Sequence, residues 1–111
     1  MEESAAEFAS SLRDLTTNSK PLISMLTMLA DESREHAGKI VEAIEHYLRT
    51  SEPSIKLPSL YLIDSIVKNI GNPYVQLFTE NIVRNFVLVF QEVRSSSAYT
   101  PLLKLNLVLH L

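Results

Sequence analysis

The stretch YLIDSIVKN, residues 61 to 69, sets a phenol, a carboxylate, a hydroxyl, an ammonium group and an amide close together. At about 100° per residue on a helical wheel, Tyr61, Asp64, Ser65, Lys68 and Asn69 share one wedge, with Leu57 among them. Leu60, Ile63, Ile66, Val67 and Ile70 gather on one broad face opposite, with Leu62 at its edge. The polar groups therefore back an apolar face and do not interrupt it. One reading is a solvated surface with an Asp64–Lys68 pair at i, i+4, worth about 0.3 kcal/mol. The other is a ligand strip: an acceptor, a cation and an amide beside an aromatic ring. A tyrosine on the wet side of a helix is what the solvated reading explains least.

TTNSKPL, residues 16 to 22, is the second such place. Asn18 or Ser19 can cap a helix that carries Pro21 in its first turn. The same arrangement suits an anion such as a phosphate. It combines free N–H groups, the positive helix end, a hydroxyl and Lys20.

The remaining reactive side chains point away from catalysis. His36, His46 and His110 lack metal-ligand spacing, and the chain has no cysteine, so no metal or cofactor is expected. Glu42 and Glu45, like Glu2 and Glu3, read as solvated helix faces. Met25 and Met28 read as core filler. No nucleophile–base arrangement is present, so the chemistry on offer is binding and the chain is not expected to be an enzyme.

These side chains are carried by a series of short helices. Ser4 is placed to cap a first helix with Phe8, Leu12 and Leu15. A second, from Asn18 or Ser19, carries Leu22, Ile23, Leu26 and Leu29. A third has Ala37, Ile40, Val41, Ile44, Tyr47 and Leu48 in steps that follow the 3.6-residue period. After the SEPS loop, Pro58 belongs in the first turn of a fourth helix that runs to about Ile70, where Gly71 ends it. A short fifth follows Asn72-Pro73, and a sixth runs from Ile82 to Val93. An all-α bundle or a superhelix of packed pairs is implied. The tail LKLNLVLHL has leucine at every odd position from Leu103. That is strand alternation without a second strand to pair with. As a helix, the segment would be apolar nearly all round.

With 111 residues, 46% of them apolar and 21% charged, the chain is sized for one soluble domain. The net charge of −3 disfavours general nucleic-acid binding, so RNA binding is expected to be weak at most. MEESAAEF is not a signal peptide, and no apolar run approaches the roughly 20 residues that span a bilayer. An intracellular protein without membrane attachment is expected.

Within this frame NSKPLISMLTMLADE, KLPSLYLIDSIVKNIG and PYVQLFTENIVRNFVLVFQEV resemble the CTD-interacting domain (CID). The form they resemble is that of polyadenylation and termination factors of the cleavage factor IA/IIm type. The resemblance covers roughly residues 8 to 93. It implies a right-handed superhelix of about seven to eight helices. It also implies a groove for the phosphorylated heptad-repeat tail of the largest RNA polymerase II subunit, Tyr-Ser-Pro-Thr-Ser-Pro-Ser. By the resemblance, Asp64 accepts a hydrogen bond from the heptad tyrosine, Asn69 holds peptide backbone and Tyr61 lines the groove. Ser65 and Lys68 belong to the same strip, while Asn18, Ser19 and Lys20 face peptide phosphate. A nuclear role in mRNA 3′-end cleavage, polyadenylation and termination follows, with other processing subunits bound through regions outside this chain.

Residues 1–111 thus read as a single domain of this kind, atypical after about residue 94. There the family continues with a basic, Trp-containing seventh helix and an eighth, whereas this chain has SSSAYTPLLKLNLVLHL. The expectation is a fold lacking its last helix. The alternatives are a VHS/ENTH-like trafficking adaptor and a helical interaction scaffold. An ENTH-type membrane binder would want a basic amphipathic N-terminal helix, and MEESAAEF is acidic.

Overall fold

The computed structural model describes residues 2–81 together with Asn85 and Val87. Among these the regular structure is all helical, with α1 (Glu2–Leu12), α2 (Lys20–Glu32), α3 (Ala37–Thr50), α4 (Lys56–Asn69) and α5 (Tyr74–Thr79). Short 3-10 turns at Arg34–His36 and Pro53–Ile55 lead into α3 and α4. Helix α1 packs on α3 and α2. Helix α4 lies between α2 and α3, and α5 closes on α3 and α4.

The local reasons for these elements are visible in the chain. Ser19 caps α2 by accepting the Leu22 N–H at 3.4 Å, with Pro21 in the first turn, where its missing N–H costs nothing. Helix α3 buries Ala37, Ile40, Val41, Ile44 and Leu48, the stripe that its periodicity dictates. Pro58 sits in the first turn of α4, and Gly71, at φ 82°, ends it in the left-handed region.

Buried polar groups tie the helices together. Tyr74 donates its hydroxyl to the Ala30 carbonyl at 2.7 Å, and Tyr47 donates to Leu15 O at 3.0 Å. Lys56, fully buried, donates to the carbonyls of Leu48 at 2.5 Å and Arg49 at 3.2 Å. Its charge thus meets the negative end of α3.

Four expectations from the sequence are corrected. Helix α1 already runs from Glu2, so Ser4 lies inside it and does not cap it. Leu57 is buried although the wheel puts it in the polar wedge, because the first five residues of α4 are covered all round. Glu45 is buried and not solvated: its carboxylate accepts from Asn81 Nδ2 at 3.2 Å and Asn85 Nδ2 at 3.1 Å. Met25 and Met28 are 41% and 62% exposed, since the α2 core stripe is met by Leu22, Leu26, Leu29 and Ala30 on the other side. Of the expected sixth helix only Asn85 and Val87 are described, both helical; the rest of it, the RSSS loop and the LKLNLVLHL tail lie outside the described residues.

Candidate functional site

Helix α2 presents Lys20, Ser24, Thr27 and Asp31 at steps of four, three and four, and α4 presents Tyr61, Ser65 and Asn69 at steps of four. Such spacings keep each set on one side of its helix. The two helices pack together, so the two strips form the walls of one groove.

The groove has two chambers. The first, about 430 Å³, is lined by Asn18, Lys20, Ile23, Ser24 and Tyr61. The second, about 310 Å³, is lined by Ser24, Thr27, Met28, Asp31, Ser65, Asn69 and Ile70. Ser24 lines both and marks their junction.

The structure brings the candidate residues together in three groups. Asn18 and Lys20, at the start of α2, share the first chamber with the half-buried ring of Tyr61. Ser65 and Asn69 share the second. Ser19 stands apart, since its side chain is engaged in capping α2.

Asp64 and Lys68 form the third group, just round α4 from Tyr61 and outside both chamber linings. Lys68 Nζ lies 3.1 Å from Asp64 Oδ2, with the Lys68 side chain 44% exposed and that of Asp64 18%. Asp64 Oδ1 is buried and has no hydrogen-bond partner. A carboxylate has about four acceptor sites, and buried ones are ordinarily filled.

A line of hydrogen bonds crosses the second chamber. Thr27 Oγ1 donates to Ile23 O at 2.7 Å and lies 2.8 Å from Ser65 Oγ. Asn69 Nδ2 donates to Ser65 O at 2.8 Å and to Ser65 Oγ at 3.3 Å. The two chambers differ in charge: Lys20 lines the first, and Asp31 lines the second, where Arg34 Nη2 pairs with it at 2.8 Å.

Reasoning from the sequence missed the α2 wall: Ile23, Ser24, Thr27, Met28 and Asp31. The signal was present as the Lys20–Ser24–Thr27–Asp31 repeat, a second polar strip like that on α4. Among the described residues no cluster of His, Cys, Asp or Glu is placed to hold a metal ion. No described helix is long and apolar enough to cross a membrane.

Comparison with known proteins gives a consistent result. The family model described as the CID domain matches residues 6–107. The polyadenylation and cleavage factor homolog 11 of Caenorhabditis elegans is 40% identical over 94 residues, which are 83% of this chain and 11% of that protein. Protein PCF11 of Saccharomyces cerevisiae is 40% identical over 93 residues, 80% of this chain and 15% of its own length. The crystal structure of the RPR of Pcf11 superposes with a TM-score of 0.86 at 36% identity, covering 92% of this chain and 81% of that one. The chain thus spans 11 to 15% of the length of these two curated relatives.

Proposed function

The chain belongs to the CID domain family, and from that premise we propose that it binds the phosphorylated heptad-repeat tail of RNA polymerase II in the groove beside α4. The observation that carries this reading is the buried, unpartnered Oδ1 of Asp64. A tyrosine hydroxyl from the heptad supplies the missing donor, and a hydrogen bond to a charged group is worth roughly 1.5–3 kcal/mol. Lys68 holds the other oxygen, so the carboxylate is fixed before the ligand arrives.

The rest of the groove suits a short phosphorylated peptide. Lys20 takes a phosphate through its charge at the positive end of α2, with Asn18 beside it. The Tyr61 ring lines the adjoining wall, and Asn69 faces peptide backbone. A peptide of this size buries little surface, so single-site affinity is modest. Tandem heptads then raise the effective concentration.

In this reading the domain is a nuclear binding module and not a catalyst. It couples transcription to mRNA 3′-end cleavage, polyadenylation and termination, and other processing subunits attach through regions outside this chain. RNA is at most a weak ligand, because the net charge is −3. The test is a titration with two-repeat heptad peptides, unphosphorylated and singly phosphorylated. Saturable binding, strengthened by phosphate at one serine position, is expected. Absence of binding by every such peptide would overturn the proposal.

A further inference from the structure

Hydroxyl groups have one hydrogen each, and that fixes the direction of the bonds across the second chamber. Thr27 gives its hydrogen to Ile23 O at 2.7 Å. Toward Ser65 Oγ, 2.8 Å away, Thr27 is therefore the acceptor and Ser65 the donor. The Ser65 hydrogen is spent, so its Oγ meets Asn69 only as an acceptor, for Nδ2 at 3.3 Å. The Ser65 carbonyl, also acceptor only, takes the same Nδ2 at 2.8 Å. Asn69 thus has its amide nitrogen held inward on two oxygens. Its Oδ1 is left directed away from them on an exposed side chain.

We propose that Thr27, acting through Ser65, is a positioning residue that holds Asn69 with its carbonyl oxygen outward, so that this part of the groove selects an N–H donor on the ligand. Thr27 lines the second chamber but is buried, and its one hydrogen is given to Ile23 O, so it acts on the ligand through Ser65 and Asn69. Ser65 likewise works as a relay and has no hydrogen left to offer a ligand. The consequence for recognition is directional. A backbone N–H opposite Asn69 is accepted, whereas a ligand carbonyl or a phosphate oxygen there meets an oxygen and is rejected. A proline, which has no N–H, is disfavoured at that register. Chains of bonds polarised in one sense also reinforce one another, which stiffens the amide.

This inference rests on the peptide-binding reading, and two measurements keep their failures apart. The first is affinity for a singly phosphorylated two-repeat heptad peptide. Thr27→Val should weaken it roughly three- to tenfold, the worth of one ordinary hydrogen bond. Thr27→Ser, which keeps the hydroxyl, should restore it, and Thr27→Val should add nothing in an Asn69→Ala background. Full affinity in Thr27→Val, or an equal loss with and without Asn69, would overturn the relay.

The second measurement uses the free protein and needs no ligand: the side-chain amide resonances of Asn69 by NMR. Two distinct, slowly exchanging amide protons are expected in the parent and in Thr27→Ser, with faster exchange in Thr27→Val. Identical Asn69 resonances and exchange in parent and Thr27→Val would overturn the relay even if no heptad peptide bound.

Discussion

Lys68 holds Oδ2 of Asp64 at 3.1 Å while Oδ1 of the same carboxylate is buried without a hydrogen-bond partner. The Lys68 side chain is nearly half exposed, so water screens the pair and its direct energy is about 1 kcal/mol or less. Its effect is geometric: one oxygen is tethered and the other is left without an internal donor. Leaving a buried acceptor empty costs about 1–3 kcal/mol in the free protein, and in the proposed complex a ligand hydroxyl would recover that cost.

Lys20 separates charge recognition from the rest of the groove. Lys20→Ala should weaken binding of a phosphorylated heptad peptide about two- to fivefold at low salt, and raising the salt should shrink the difference. The unphosphorylated peptide should bind parent and variant alike. Fluorescence anisotropy with the two peptides at two salt concentrations reads this directly, and an equal loss for both would place Lys20 outside the phosphate contact.

Glu45 carries the junction between α3 and the chain after α5. Its carboxylate accepts from Asn81 and Asn85 at 3.1–3.2 Å in a buried setting. Glu45→Ala strands both amides, and a stability loss of about 2–3 kcal/mol is expected by urea unfolding. A loss below about 0.5 kcal/mol, the size of a surface substitution, would show that the cluster is not a structural joint.

Tyr74 gives the fold an alkaline limit. Burial pushes its phenol up from 10.0 to about 12. The unfolded chain therefore releases this proton first, and unfolding becomes easier as pH climbs. The stability held by neutral Tyr74 is complete below about pH 10 and is lost as pH rises through about 12. Burial also raises Tyr47, so a phenolate absorbance titration should show late-ionising tyrosines, one of which disappears in Tyr74→Phe. The same substitution removes a buried hydrogen bond to the Ala30 carbonyl, which keeps the Ser33 N–H at 3.3 Å, and should cost about 0.5–1.5 kcal/mol at neutral pH.

The helices and one wall of the groove were legible in the sequence because periodicity and backbone chemistry are local. The α3 stripe, Pro58 in a first turn and Gly71 at a left-handed φ each follow from one residue or one repeat. What a helical wheel cannot contain is the identity of the neighbour. Leu57 and Glu45 look solvated on their own helices and are buried, Glu45 by Asn81 and Asn85 some 36 and 40 residues away. Thr27 looks like an incidental hydroxyl in α2 until Ser65, 38 residues on, is seen 2.8 Å from it. The α4 strip could be read as a site because five polar types crowd it. The α2 strip, diluted by methionines and leucines, could not.

The central claim, that Asp64 receives a hydroxyl from a heptad-repeat peptide, is tested most directly by titrating parent, Asp64→Asn and Asp64→Ala with one singly phosphorylated two-repeat peptide. Far-ultraviolet circular dichroism and thermal unfolding run alongside. The account predicts at least about a tenfold loss of affinity in Asp64→Ala, the lower bound for a charged hydrogen bond, and a smaller loss in Asp64→Asn. Helicity should be unchanged in both, because Oδ1 has no internal partner and the half-exposed Lys68 pair at Oδ2 is worth about 1 kcal/mol or less. Equal affinity of Asp64→Ala and the parent for the peptide would contradict it.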